Sequence, residues 1–175
     1  MAGRRGYAII MLLVIVSVLS IGLMVAVPVW QTQIQREKEE ELIFRGRQIV
    51  EAVRVYQAKN PGRYPRSLQE LYEKRCLRRL FKDPMTPSGE WNILLLPASP
   101  GPGRGGASQQ VLLVPQSMLS SLTDPKLIGV ASSSKRSSFR IYNQAQSYDE
   151  WLFYYGQDPL SRPEVIRLGK SGPSS

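Results

Sequence analysis

The chain has 175 residues, a formal net charge of +9, one cysteine and no histidine. One cysteine excludes an internal disulfide, and the lack of histidine removes the commonest general base and the commonest neutral metal ligand. The acids follow no H-E-x-x-H, P-loop or EF-hand spacing, so the residues support neither an enzyme nor a bound metal or cofactor.

The first element is read from RRGYAIIMLLVIVSVLSIGLMVAVPVW. Tyr7 to Val29 is a run of 23 residues without a charged side chain. At ~1.5 Å per residue it would reach ~35 Å, against a hydrocarbon core of ~30 Å. This predicts a spanning helix over residues 7–30. Arg4 and Arg5 just before it would hold the N-terminus in the cytoplasm and leave the remainder outside.

The helical pattern continues from Gln31 to Asn60. Leu42, Gly46, Ile49, Val53 and Tyr56 recur at spacings of four, three, four and three, one face of an amphipathic helix, with Ile43 and Val50 widening it. The opposite face is read as Glu39, Glu40, Arg47, Glu51 and Arg54. Pro61-Gly62 ends the helix. Residues 7–30 and 31–60 are thus expected to form one rod, from about Tyr7 to Ala58. Pro28 lies inside it and removes a backbone hydrogen bond, which predicts a bend.

Residues 61–155 read as a globular α/β head. Ser67-Leu68-Gln69-Glu70 is a capping box opening a short helix. Asp83-Pro84 and Pro87-Ser88-Gly89 are turns. Strands are expected at Trp91–Leu96, Val111–Val114, Leu127–Ala131, Phe139–Tyr142 and Trp151–Tyr155. The segment from Pro97 to Gln110 reads as a disordered loop. Its glycine-rich part, Gly101 to Gly106, lacks the lysine of a phosphate loop. Residues 156–175 read as a flexible tail. The expected fold is α+β: a long N-terminal transmembrane and amphipathic helix packed on a small antiparallel sheet.

Without residues 1–30 the chain keeps about +7, basic enough to raise nucleic acid or anionic lipid as partners. Lys135, Arg136 and Arg140, beside Phe139 and Tyr142, are the candidate polyanion contact. Arg78 and Arg79 read as a solvated face, or as a contact with an acidic neighbouring subunit.

Basic residues, then Gly6, Tyr7 and an apolar helix resemble the prepilin leader of type IV pilins and type II secretion pseudopilins. Pro28 falls where that family's helix commonly carries a kink. YPRSLQEL, LRRL and DPMTPSGEW resemble the segment that leads major pseudopilins from the long helix into the sheet. SFRIYN and SYDEWLFYY are more loosely similar to the closing strands.

The resemblance implies a pilin-like fold, a leader over residues 1–6, cleavage after Gly6 and N-methylation of Tyr7. It implies a filament core of packed N-terminal helices. The expected partners are other pilin or pseudopilin subunits, a prepilin peptidase and an inner-membrane assembly platform. The expected location is the inner membrane, single-pass, with the C-terminal domain periplasmic. Met11 stands where the family usually has glutamate, which favours a minor, tip or specialised subunit. Some major pseudopilins bind calcium near the end of the sheet; Asp149, Glu150 and Asp158 are too scattered to make that site. The competing reading is an anchored basic module that binds DNA or another polyanion.

Overall fold

A computed structural model describes residues 3–97, 110–157 and 163–168, without the side chains of residues 3–5 and 23–31. The loop expected between Pro97 and Gln110 lies almost wholly outside the described residues. Helix α1 covers Gly3–Lys59. The chain divides within it into two compact units, Met1–Lys38 and Glu39–Ser175.

In the first unit the apolar side chains from Tyr7 to Ile21 are exposed, and so is Ile34. Among the described residues no helix is long and apolar enough to cross a membrane. Within the apolar run, side chains are described over residues 6–22 only. The expected spanning helix over residues 7–30 is therefore corrected, and with it the single-pass inner-membrane location. Pro28 lies within the helical span of α1, but its side chain is outside the described residues.

The strands of the second unit are β1 (Trp91–Leu95), β2 (Gln110–Pro115), β3 (Leu127–Ser132), β4 (Ser137–Tyr142), β5 (Ala145–Ser147), β6 (Leu152–Tyr154) and β7 (Glu164–Arg167). Five of them form the main sheet, in the order β6-β3-β1-β2-β7. The first four in that order pair antiparallel, but β7 runs parallel to β2. The sheet is thus mixed, which corrects the antiparallel expectation. The reason lies in the segment expected as a tail: Val165 is half-buried against the sheet and carries β7 into register with Val111.

Two apolar clusters sandwich the sheet. Leu42, Ile49, Val53 and Tyr56 of α1 meet Ile93, Leu95, Val114, Leu127, Val130 and Phe153 in the larger one. Leu94, Val111, Leu113, Ile128 and Leu152 face the other way with Tyr64 and Val165. Leu127 and Val130 reach one core although three apart, because the β1–β3 register shifts between Leu94 and Leu95. An extra residue at such a shift resets the period-two alternation.

Helix α2 (Leu68–Glu73) starts as its capping box dictates. The Glu70 N–H donates to Ser67 Oγ at 3.1 Å, and Glu70 Oε2 accepts from the Arg66 N–H at 2.7 Å. Its other oxygen accepts from the Tyr56 hydroxyl at 2.7 Å, tying α2 to α1. That bond, more than burial, holds the Tyr56 phenol above its ordinary pKa of 10.0. A raised phenol pKa gives stability that is present below pH ~10 and lost as pH rises through the folded value. Tyr56→Phe should cost about 1 kcal/mol at neutral pH and flatten that alkaline loss. Unfolding midpoints measured across the alkaline range check both.

Gly62, at φ 77°, takes the left-handed turn that stops α1. Asp83 is buried in the expected Asp-Pro turn. It accepts from the Met85 N–H (2.8 Å), the Ser132 hydroxyl (2.8 Å) and the Ser133 N–H (3.1 Å). Trp91 Nε1 donates to the Phe81 carbonyl at 2.8 Å, which fixes the entry into β1.

Candidate functional site

Strands β4 and β5 form a separate two-stranded hairpin. The strand expected at Phe139–Tyr142 is thus present, but outside the main sheet. Asn143 and Gln144 turn the chain at φ 47° and 64°, the positive pair that a two-residue hairpin turn requires. Tyr142 closes on Trp151 and Phe153, with ring centroids 5.4 and 5.1 Å away.

Glu39 holds this hairpin to α1. It is fully buried, which corrects its expected place on the polar face. Its Oε1 accepts from the Phe139 N–H at 2.7 Å and from the Tyr148 hydroxyl at 2.6 Å. Its Oε2 is buried without a hydrogen-bond partner. A carboxylate is costly to bury unless it is hydrogen-bonded, so these two donors are what permit it there. Sequence reasoning missed this residue although the signal was present. Stepping the stripe back by three from Leu42 lands on Glu39, a charge at a core position.

The candidate polyanion residues are only partly available. Arg136 Nη2 donates to the Met85 carbonyl at 2.8 Å, and its Nε to Ser134 Oγ at 3.4 Å. Arg140 pairs with Glu40 at 2.6 Å. Lys135 is exposed in the loop before β4. Phe139 and Ile141 are 55% and 67% exposed on the hairpin, while Tyr142 turns into the core. The structure thus brings the three cations onto one segment but occupies two of them.

Of the processing and assembly residues, Gly6 and Tyr7 lie in the first turns of α1, and a methyl group at Gly6 would meet nothing within 4 Å. Tyr7 is 71% exposed, and Met11 is exposed among Ile10, Leu12 and Leu13. Asp149, one of the acids weighed for calcium, accepts from Ser147 Oγ and pairs with Arg167 at 2.8 Å. A guanidinium from β7 therefore stands against that carboxylate. Asp158 lies outside the described residues. Among the described residues no group of three or more Cys, Asp or Glu side chains could hold a metal ion.

No family model matches the chain, and no curated protein and no solved structure is similar enough to count as a match. The residues themselves are therefore what points to a function.

Proposed function

We propose that the chain is a pilin- or pseudopilin-like subunit that assembles, through its N-terminal helix, into a filament of the type II secretion or type IV pilus kind. The observation that carries this reading is the exposed apolar surface of α1. From Ile9 to Val16 every side chain is hydrophobic and exposed, so this stretch of the helix has no polar face to turn to water. A helix apolar all round needs other apolar surface against it, and a second copy offers the same surface. The leader-like RRGY sequence adds processing: removal of residues 1–6 and methylation of the new N-terminus at Tyr7. Met11 in place of an acid fits a minor or tip position, where no neighbour's amine has to be paired.

Intact-mass measurement of the protein from a cell with an active prepilin peptidase tests the processing. The expected species begins at Tyr7 and carries one added methyl group. A mature chain that still begins at Met1 or Ala2 overturns it. Assembly is tested at Val14 in a Cys76→Ser background. Val14→Cys should give disulfide-linked dimers between copies, because each buried valine contributes about 1.5–3 kcal/mol to such an interface. Val14→Asp should abolish assembly by placing a charge in the same apolar seam.

A further inference from the structure

The geometry points to the loop after α2 as a docking site for single-stranded nucleic acid, with phosphates held by Arg75, Arg78 and Arg79 and a base stacked on Tyr72. Lys74, Arg75, Arg78, Arg79 and Lys82 place five cations within nine residues, and all five are exposed. Among the described residues none of them enters an ion pair, whereas Arg45, Arg54, Arg66, Arg140 and Arg167 all do. Other cations, Arg47, Lys59, Arg63 and Lys126 among them, also enter no ion pair among the described residues, but they are spread along the chain, whereas these five are concentrated in one loop.

The loop presents these cations in a fixed way. The Cys76 and Leu77 N–H groups both donate to the Leu71 carbonyl, at 2.9 and 3.0 Å, closing α2 on itself. Leu77 is buried in the main core, which anchors the loop from below. The Arg79 guanidinium lies over the Phe81 ring, 4.9 Å from its centroid, which orients the cation without neutralising it. Arg75 sits at φ 54°, the left-handed position where glycine is the cheap choice. An arginine there costs about 1 kcal/mol more than glycine, and its side chain is the only thing gained.

Tyr72, Glu73, Arg75, Leu77 and Arg78 line a surface pocket of about 430 Å³, inside the roughly 300–1,000 Å³ span of small-ligand sites. Tyr72 is 46% exposed and lines this pocket together with Arg75 and Arg78. An exposed aromatic ring and two guanidiniums lining one pocket match one nucleotide unit: the base stacks, and the phosphate takes paired N–H donors. Glu73 is turned toward Gln69, whose Nε2 donates to it at 3.3 Å. Four carboxylates that a second copy would offer, Glu40, Glu41, Glu51 and Asp124, are already paired within the chain. Docking at this loop does not require assembly of the N-terminal helix.

The test is fluorescence anisotropy of the full-length chain, its apolar helix covered by non-ionic detergent, with a labelled oligothymidylate of about ten nucleotides. Binding should be seen at about 50 mM salt and weaken steeply by about 200 mM. Arg78→Gln with Arg79→Gln should weaken it at least tenfold and reduce the salt slope by about 1.4, some 0.7 for each phosphate no longer held. Arg78→Lys with Arg79→Lys should restore the slope, which separates charge from any damage to the fold. Tyr72→Ala should weaken binding about tenfold with the slope unchanged. Arg47→Gln, which removes one charge elsewhere, should change neither. No binding at low salt overturns the assignment. So does an arginine-pair effect equalled by Arg47→Gln, an unchanged affinity in Tyr72→Ala, or arginine-dependent binding to phosphatidylserine vesicles but not to the oligonucleotide.

Discussion

Glu39→Ala is expected to destabilise the second unit by about 3 kcal/mol, because it removes the acceptor of the part-buried Phe139 N–H and of the buried Tyr148 hydroxyl. Hydrogen bonds to a carboxylate contribute about 1.5–3 kcal/mol each, and the smaller side chain also leaves a void. Glu39→Gln keeps an acceptor at the Oε1 position and should stay within about 1 kcal/mol of the parent. Tyr148→Phe, which removes one donor, should fall between them. Urea unfolding followed by tryptophan fluorescence measures all three, since Trp151 is buried with its ring 5.4 Å from Tyr148. Amide exchange should localise the effect: the Phe139 N–H should become fast in Glu39→Ala while β1 and β3 stay protected. If Glu39→Ala is as stable as the parent, the carboxylate does not hold the hairpin.

Gly129→Ala is expected to cost at least about 3 kcal/mol, the upper end of overpacking effects. A methyl group there would lie 1.9 Å from the Phe153 carbonyl oxygen and 2.5 Å from the Tyr154 Cα. Those atoms are backbone of the paired strand, so the clash can be relieved only by parting β3 from β6. Gly46→Ala makes the useful comparison. Its methyl would lie 2.5 Å from the Phe153 ring, a side chain that can shift. Alanine also favours the helix by about 1 kcal/mol over glycine, so the net loss should be smaller, about 1–2 kcal/mol. The same unfolding assay ranks them. Should Gly129→Ala prove milder than Gly46→Ala, the close approach of β6 to β3 is not what fixes this edge of the sheet.

The helical stripe from Leu42 to Tyr56, the capping box at Ser67 and the strands at Trp91, Val111, Leu127 and Trp151 were legible in the sequence because each follows from local periodicity or a local hydrogen bond. Even the role of Gly46 was half visible, as a gap in an apolar stripe, though not which ring would fill it. The apolar surface of α1, with Gly6, Tyr7 and Met11, was likewise plain from residue type alone.

What the sequence could not decide depends on contacts between distant segments. Glu39 meets a strand 100 residues away, and Asp149 meets Arg167. The parallel addition of β7 needs an edge of β2 that no local pattern announces. Arg45 and Arg54 pair with Glu41 and Glu51 on their own helix, but Arg66, Arg140 and Arg167 are neutralised only when carboxylates arrive from elsewhere in the chain. Short-range preferences act through neighbours three or four residues apart, so they specify elements and faces. Register, charge pairing and the burial of a single acid are set by chain closure over long loops, and only the folded structure supplies those partners.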